Sequence, residues 1–229
     1  MIIYGRNAVN EAIAGPRNVH RIWVTERGPD ADWPSQIPVE TADFQALEKR
    51  CESPDHQGVV AEVADFVYTD PAELLAVKDA LLVVLDEVQD PRNFGAICRV
   101  AAAAGAAGVV IPRHRSAEVT PVVCKVSSGA VEHLPVAQVR NIADFLADAR
   151  DAGFWSHGAA MEGAEQWDAV DWTGPVVLVM GSEGKGLRPR VADACDRLVA
   201  LPLAGRIESL NVSTAAAALL YEAVRQRGA

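Results

Sequence analysis

The chain reads as an α/β protein: a largely parallel sheet covered by helices, preceded by a small α/β module. Three observations point there. Two apolar runs, Ala80 to Leu85 and Val176 to Met180, have no polar alternation, as expected of strands buried on both faces. Strand and helix patterns alternate from Ala80 onward, which in a compact domain means parallel pairing. The first 66 residues lack such runs and close on themselves as shorter elements.

Within residues 1–66, Asn7 to Ala14 has helical spacing after a Gly-Arg-Asn start. Arg21 to Thr25 reads as a strand, and Phe44 to Cys51 as a short helix. His56-Gln57-Gly58-Val59 leads into a strand through Val63 that reads as an edge strand. Residues 67–79, with Asp70-Pro71 and a short polar helix, read as the hinge to a second part, 80–229. There, Asp86 to Asn93 is a loop with Asn93 as a plausible helix cap, and Phe94 to Ala104 a small-residue helix. Val109 to Ile111 is a strand, Pro121 to Ser128 a helix, Leu134 to Val139 a strand and Ile142 to Asp151 a helix. Phe154 to Ala160 is a strand, Pro189 to Ala194 a helix, Leu198 to Leu201 the last strand and Asn211 to Arg227 a long closing helix.

Composition narrows the function classes. Half of the 229 residues are hydrophobic, enough for a real core. Met1 to Arg6 carries no apolar signal core, and no apolar run reaches the ~18 residues of a membrane span. Cys51, Cys98, Cys124 and Cys195 are far apart and read as reduced thiols of a cytosolic protein. Five isolated histidines suggest no metal site. The net charge of −10 disfavours a nucleic-acid partner when taken as a whole. The charge is uneven, however. Residues 91–140 carry six Lys/Arg against two acids, a local +4, and residues 141–173 one Arg against seven acids, a local −6. A local basic face can hold phosphates while the remainder keeps the protein soluble.

Ligands of parallel sheets gather where loops leave the C-terminal strand ends, and three such loops carry unusual chemistry. The first runs Asp86 to Arg99. Its Asn93 and the lone Arg99 stand against a helix otherwise made of Ala, Val, Ile and Cys. Arg99 reads either as a snorkelling surface charge or as a guanidinium aimed at phosphate. The second is Met180-Gly181-Ser182-Glu183-Gly184-Lys185-Gly186-Leu187. Its glycines let backbone approach a ligand closely, but their spacing fits neither a P-loop nor Gly-x-Gly-x-x-Gly. The third is Leu201-Pro202-Leu203-Ala204-Gly205-Arg206-Ile207-Glu208-Ser209-Leu210-Asn211. It reads either as a capped helix start or as a turn whose free backbone groups and polar side chains hold a small ligand.

These residues carry a resemblance. Asn93-x-Gly95-x-x-x-Arg99, then Gly181-Ser182-Glu183-Gly184 with Gly186, then Pro202 through Glu208-Ser209-Leu210-Asn211-Val212-Ser213 are similar, in order and spacing, to the three motifs of the SpoU (TrmH-like) RNA ribose 2′-O-methyltransferases of the SPOUT superfamily. The stretch Arg115 to Ala130, with Glu132-His133-Leu134-Pro135-Val136, resembles the subgroup acting on a guanosine of large-subunit rRNA. Gly5-Arg6-Asn7-Ala8-Val9 and His56-Gln57-Gly58-Val59 resemble its N-terminal RNA-binding module.

The resemblance implies a deep C-terminal trefoil knot, S-adenosylmethionine held in it, a homodimer and a cytoplasmic role in rRNA processing. It implies that Met180, Gly181, Leu201, Gly205 and Leu210 contact the cofactor, and that Asn93, Arg99, Glu183, Ser209 and Asn211 form the catalytic set. The alternatives left standing are a tRNA 2′-O-methyltransferase, a ribosome-protecting resistance methyltransferase and a non-catalytic RNA-binding adaptor. The acidic pI of 4.9 is the one departure from what an RNA partner favours.

Overall fold

A computed structural model describes residues 1–28, 33–161 and 164–228. In chain order its first elements are β1 (Ile2–Tyr4), α1 (Arg6–Ala14), β2 (Val19–Val24), β3 (Val39–Thr41), α2 (Phe44–Cys51), a 3-10 turn (Pro54–His56) and β4 (Val59–Val63). Next come α3 (Pro71–Leu75), β5 (Leu81–Asp86), α4 (Pro91–Ala103), β6 (Gly108–Pro112), α5 (Pro121–Val126), a 3-10 turn (Ala130–Glu132), β7 (Val136–Val139) and α6 (Ile142–Asp151). The last are β8 (Trp155–Ala159), β9 (Glu165–Gln166), β10 (Val176–Gly181), α7 (Pro189–Ala194), β11 (Arg197–Ala200) and α8 (Val212–Arg227). Glu162, counted in the acidic stretch, lies outside the described residues.

The chain forms two compact units, Met1–Val67 with Glu118–His133, and Tyr68–Ala117 with Leu134–Ala229. The first differs from the sequence reading in taking in residues 118–133, which had been expected with 80–229. Helix α5 packs against β1 there, and a buried ion pair joins the same parts of the chain. Arg17, in the turn after α1, donates from Nε to Glu132 Oε2 at 2.7 Å and pairs with Oε1 through its second nitrogen. The Glu132 side chain is fully buried and that of Arg17 nearly so. Arg17 also reaches the Ala64 carbonyl at 3.4 Å and lies over the Phe66 ring. A carboxylate this deep is tolerated only with such a partner.

The sheet of this unit has the order β1-β4-β2-β3. β4 pairs antiparallel with both β1 and β2, so it is interior rather than the edge strand expected. Its burial shows why: Val59, Val60, Ala61 and Val63 are all covered. His56 belongs to the turn before it. β3 is three exposed residues on the sheet edge, too short to give a periodic signal.

The second unit holds a seven-stranded, wholly parallel sheet of order β7-β6-β5-β10-β8-β11-β9. β5 and β10 are buried throughout and lie side by side, Leu81 against Val176 through Asp86 against Gly181. The order is not the chain order. After β7 the chain returns past β5 to lay down β8 two places away, and β10 fills the slot between them. Helix α4 begins at Pro91, with Asp90 rather than Asn93 as its cap; the Asp90 carboxylate accepts from Arg92 N at 2.8 Å. Proline at the first helical position needs no N–H partner, so the cap falls one residue before it. The two-residue β9, an edge strand of exposed polar side chains, was also missed.

Removing Arg17 strands the Glu132 carboxylate in an apolar site. Arg17→Ala is expected to lower the unfolding free energy by about 3–5 kcal/mol in urea titration, whereas Arg17→Met with Glu132→Leu recovers most of it.

Candidate functional site

β10 ends at Gly181, level with Asp86 at the end of β5. The loop beyond closes as a tight turn: Ser182 N donates to the Gly186 carbonyl at 3.0 Å, and Gly186 N returns to that of Ser182 at 2.9 Å. Gly184 and Gly186 have φ of +77° and +66°, a region that favours glycine. A side chain at Gly181 would collide with the backbone of Gly186 and Leu187, so only glycine lets the turn fold back onto the strand.

A cavity of about 880 Å³ opens at these strand ends. Met180 and Gly181 form one part of its wall; Leu201, Ser209 and Leu210, from the loop after β11, form another. Glu183 stands on its edge. Concave, mostly apolar walls with a few polar groups are the usual make-up of a small-molecule site. Gly205, the fifth expected contact, is not among the lining residues. A Cβ built on Gly205 would meet open space, so nothing among the described residues is packed against this part of the loop.

Side-chain amides join the three loops. Asn211 caps α8: its Oδ1 accepts from Ser213 N at 2.9 Å and from the Ser213 hydroxyl at 2.6 Å. With the oxygen so committed, Nδ2 is left to donate, and it reaches Asn93 Oδ1 at 3.0 Å. Asn93 Nδ2 in turn donates to Glu183 Oε1 and, at 3.4 Å, to Asp90. The direction of the chain is set at both ends, by backbone donors at α8 and by an acceptor-only carboxylate at Glu183. Each bond is solvent-exposed and worth on the order of 1 kcal/mol net. Their effect is to place the carboxylate rather than to stabilise the fold.

Of the expected catalytic set, the structure therefore brings Asn93, Glu183 and Asn211 into one hydrogen-bonded row and puts Glu183 and Ser209 on the cavity wall. Arg99 is separate. It lies on α4 beyond Asn93, exposed, and its side chain makes no hydrogen bond or ion pair among the described residues. Six positions advance a helix by about 600°, so Arg99 points some 120° around the axis from Asn93.

The sequence reading missed the anchor of the glycine loop. Asp86 is fully buried at the end of β5. Its Oδ1 accepts from Arg188 Nε at 2.7 Å and its Oδ2 from Arg188 N at 2.9 Å. A second guanidinium nitrogen pairs with Oδ1 at 2.6 Å. The bond to Asp86 holds the Arg188 guanidinium above its ordinary pKa. The pair ties the residue that follows the loop to the neighbouring strand. The available signal was an Asp closing an unbroken apolar run, where an unpaired carboxylate has no place. Asp86→Ala is expected to loosen residues 182–187, seen as faster amide hydrogen exchange there, and to lower the unfolding free energy by about 3 kcal/mol.

Comparison with known proteins agrees with this geometry. Residues 80–221 match the SpoU rRNA Methylase family, and residues 2–69 match the RNA 2′-O ribose methyltransferase substrate binding domain. The chain is 41% identical to the 23S rRNA (guanosine-2′-O-)-methyltransferase RlmB of Pseudomonas putida, over 98% of this chain and 96% of that protein. It is 37% identical to the putative TrmH family tRNA/rRNA methyltransferase YacO of Bacillus subtilis, over 98% of this chain and 95% of the relative. Among solved structures, the SpoU methyltransferase AviRb from Streptomyces viridochromogenes, in complex with the cofactor AdoMet, superposes with a TM-score of 0.81 at 27% identity, covering 99% of this chain and 89% of that one. With both domains matched in order along nearly the whole chain, the protein belongs to the SpoU rRNA methylase family.

Proposed function

We propose that this protein methylates the 2′-hydroxyl of a guanosine ribose in large-subunit (23S-type) rRNA, with S-adenosylmethionine as the methyl donor. The observation that carries the reading is the row Asn211–Asn93–Glu183 at the rim of the cavity. It puts a carboxylate beside an apolar pocket and links side chains of three loops that are distant in the chain.

The residues present fit the donor. Met180, Leu201 and Leu210 offer apolar surface to an adenosine and a methionine chain, and the bare backbone at Gly181 allows close approach without a side chain in the way. The bound donor supplies an electrophilic methyl on a sulfonium. The protein's task is to hold the ribose oxygen in line with it, which supplies much of the rate. Ser209, on the wall, is placed to hydrogen-bond the ribose. Glu183 is held at the rim by Asn93, and Asn93 by Asn211. A guanidinium is a poor base and a good partner for phosphate, so the role assigned to Arg99 is to clamp an RNA phosphate and orient the hydroxyl.

In the same reading, residues 1–66 are the substrate-binding module, joined in one compact unit by residues 118–133, 67–79 are the linker, and the remainder of 80–229 is the transfer domain. The final loops are threaded as a trefoil knot, a reading supported by β10 entering the slot between β5 and β8. The working form is a homodimer in the cytoplasm. Ile207 and Tyr221 are exposed and largely apolar, as surfaces covered by a second copy would be. Methylation of tRNA is the second reading, favoured by the name of the Bacillus relative, which covers both RNAs.

Labelled S-adenosylmethionine offered with separate rRNA and tRNA pools should label the rRNA, at one position mapped by primer extension. Label in tRNA alone overturns the assignment; a modified nucleotide other than guanosine points to a resistance-type enzyme. Arg99→Ala is expected to cut methyl transfer at least ~100-fold while donor affinity by calorimetry stays within about twofold. Asn211→Ala is expected to weaken both and to cost ~1 kcal/mol of stability through the lost cap.

A further inference from the structure

Two of the stretches that resemble the RNA-binding module, Gly5-Arg6 and His56-Gln57-Gly58, are 51 positions apart in sequence, and Lys125 is far from both. In the first compact unit they meet. Gln57 Oε1 accepts from Arg6 N at 3.1 Å. A Cβ on Gly5 would collide with the Lys125 side chain, so the glycine leaves room for that side chain to lie across the start of α1. Around the junction is a cavity of about 880 Å³ whose wall carries Arg6, Arg27 and Lys125 against one carboxylate, Asp55.

None of these four charged side chains forms an ion pair among the described residues, although the charge of Asp55 is felt at Lys125. In a chain of net charge −10, three cations facing one carboxylate in a single cavity, none of them in an ion pair among the described residues, leave a local excess of positive charge that favours an anion. The fourth feature of the wall is aromatic. Phe44, the first residue of α2, is 51% exposed. It rests on the His56 ring, with centroids 4.2 Å apart. His56 is completely buried, and its Nδ1 accepts from Gly58 N at 3.1 Å, so the ring behind Phe44 is locked in place.

We propose that this groove, built by Arg6, Arg27, Lys125 and Phe44, is a docking site for single-stranded RNA, in which the cations hold phosphates and Phe44 stacks on an unpaired base. Unpaired cations alone would suit any anion. A ring propped against a rigid neighbour and left half open to solvent suits a flat apolar partner as well, and a nucleotide offers both in one unit. A base in a duplex is already stacked, so the strand taken here is unpaired. The inference rests on the RNA-methylating reading above and adds to it the residues by which the first unit grips the strand.

The test uses the full-length protein with deproteinised 23S rRNA, measuring initial rates of methyl transfer against RNA concentration at several KCl concentrations. Arg6→Ala, Lys125→Ala and Phe44→Leu are each expected to raise KM for RNA roughly tenfold, with kcat and donor affinity within about twofold of wild type. Each lost cation should also lower the slope of log KM against log salt by about 0.7. Arg6→Lys should restore most of the affinity. Unchanged thermal unfolding separates these effects from loss of the fold. Variants with wild-type KM overturn the groove while leaving the methylation reading intact. If the wild-type protein methylates no rRNA, that reading falls. The groove is then judged on binding of a fluorescent single-stranded oligoribonucleotide: weaker binding by the variants supports it, and undiminished binding overturns it.

Discussion

The second unit is organised by the placement of β10. It is apolar from Val176 to Met180, buried on both faces, and hydrogen-bonded on both edges, to β5 and to β8. A strand paired on both edges has its register fixed by two hydrogen-bond ladders at once. Its end therefore has a defined level, with Gly181 beside Asp86. From that level the glycine turn folds back, Arg188 reaches the Asp86 carboxylate, and Glu183 comes to the rim of the cavity. Slipping the strand by one residue would break all three relations together.

Two kinds of polar contact surround this strand, and they do different things. The Asp86–Arg188 pair is buried at the carboxylate, so its loss is costly and its geometry is tightly held. The Asn211–Asn93–Glu183 row is exposed and individually weak. Weak exposed bonds can still set an orientation when their donors and acceptors allow only one direction. A site made of exposed groups hung on a rigid frame stays open to a large RNA while keeping its carboxylate in register. The first unit shows the same contrast: Arg17 and Glu132 are buried against each other, while Arg6, Arg27 and Lys125 line a cavity with no ion pair among the described residues.

Much of this was legible in the residues. Continuous apolar runs marked β5 and β10 because burial on both faces removes any alternation, and the Gly-Ser-Glu-Gly turn and the Asn211 cap announced their loops by residue type. What was missed has physical reasons. β3 and β9 are short, exposed edge strands without periodicity, held by partners remote in sequence. β4 looked like an edge because its Gly-led start resembles one; its two neighbours come from either side of it in space, not in sequence. The cap of α4 fell on Asp90 because Pro91 can begin a helix. Arg188 carried no local mark at all.

Local chemistry in the chain was thus enough to determine which segments are strands, where the turns fall and which loops carry polar groups in excess of capping. Whether those loops share one pocket depended on strand order, since β5, β8 and β10 become neighbours only after the chain doubles back. The same holds for residues 118–133, which join the first unit through packing against β1 and a buried ion pair spanning 115 positions. Spacing along a chain encodes the period of a helix or strand, but pairing across a fold is settled by burial and charge, which act only once the distant pieces have met.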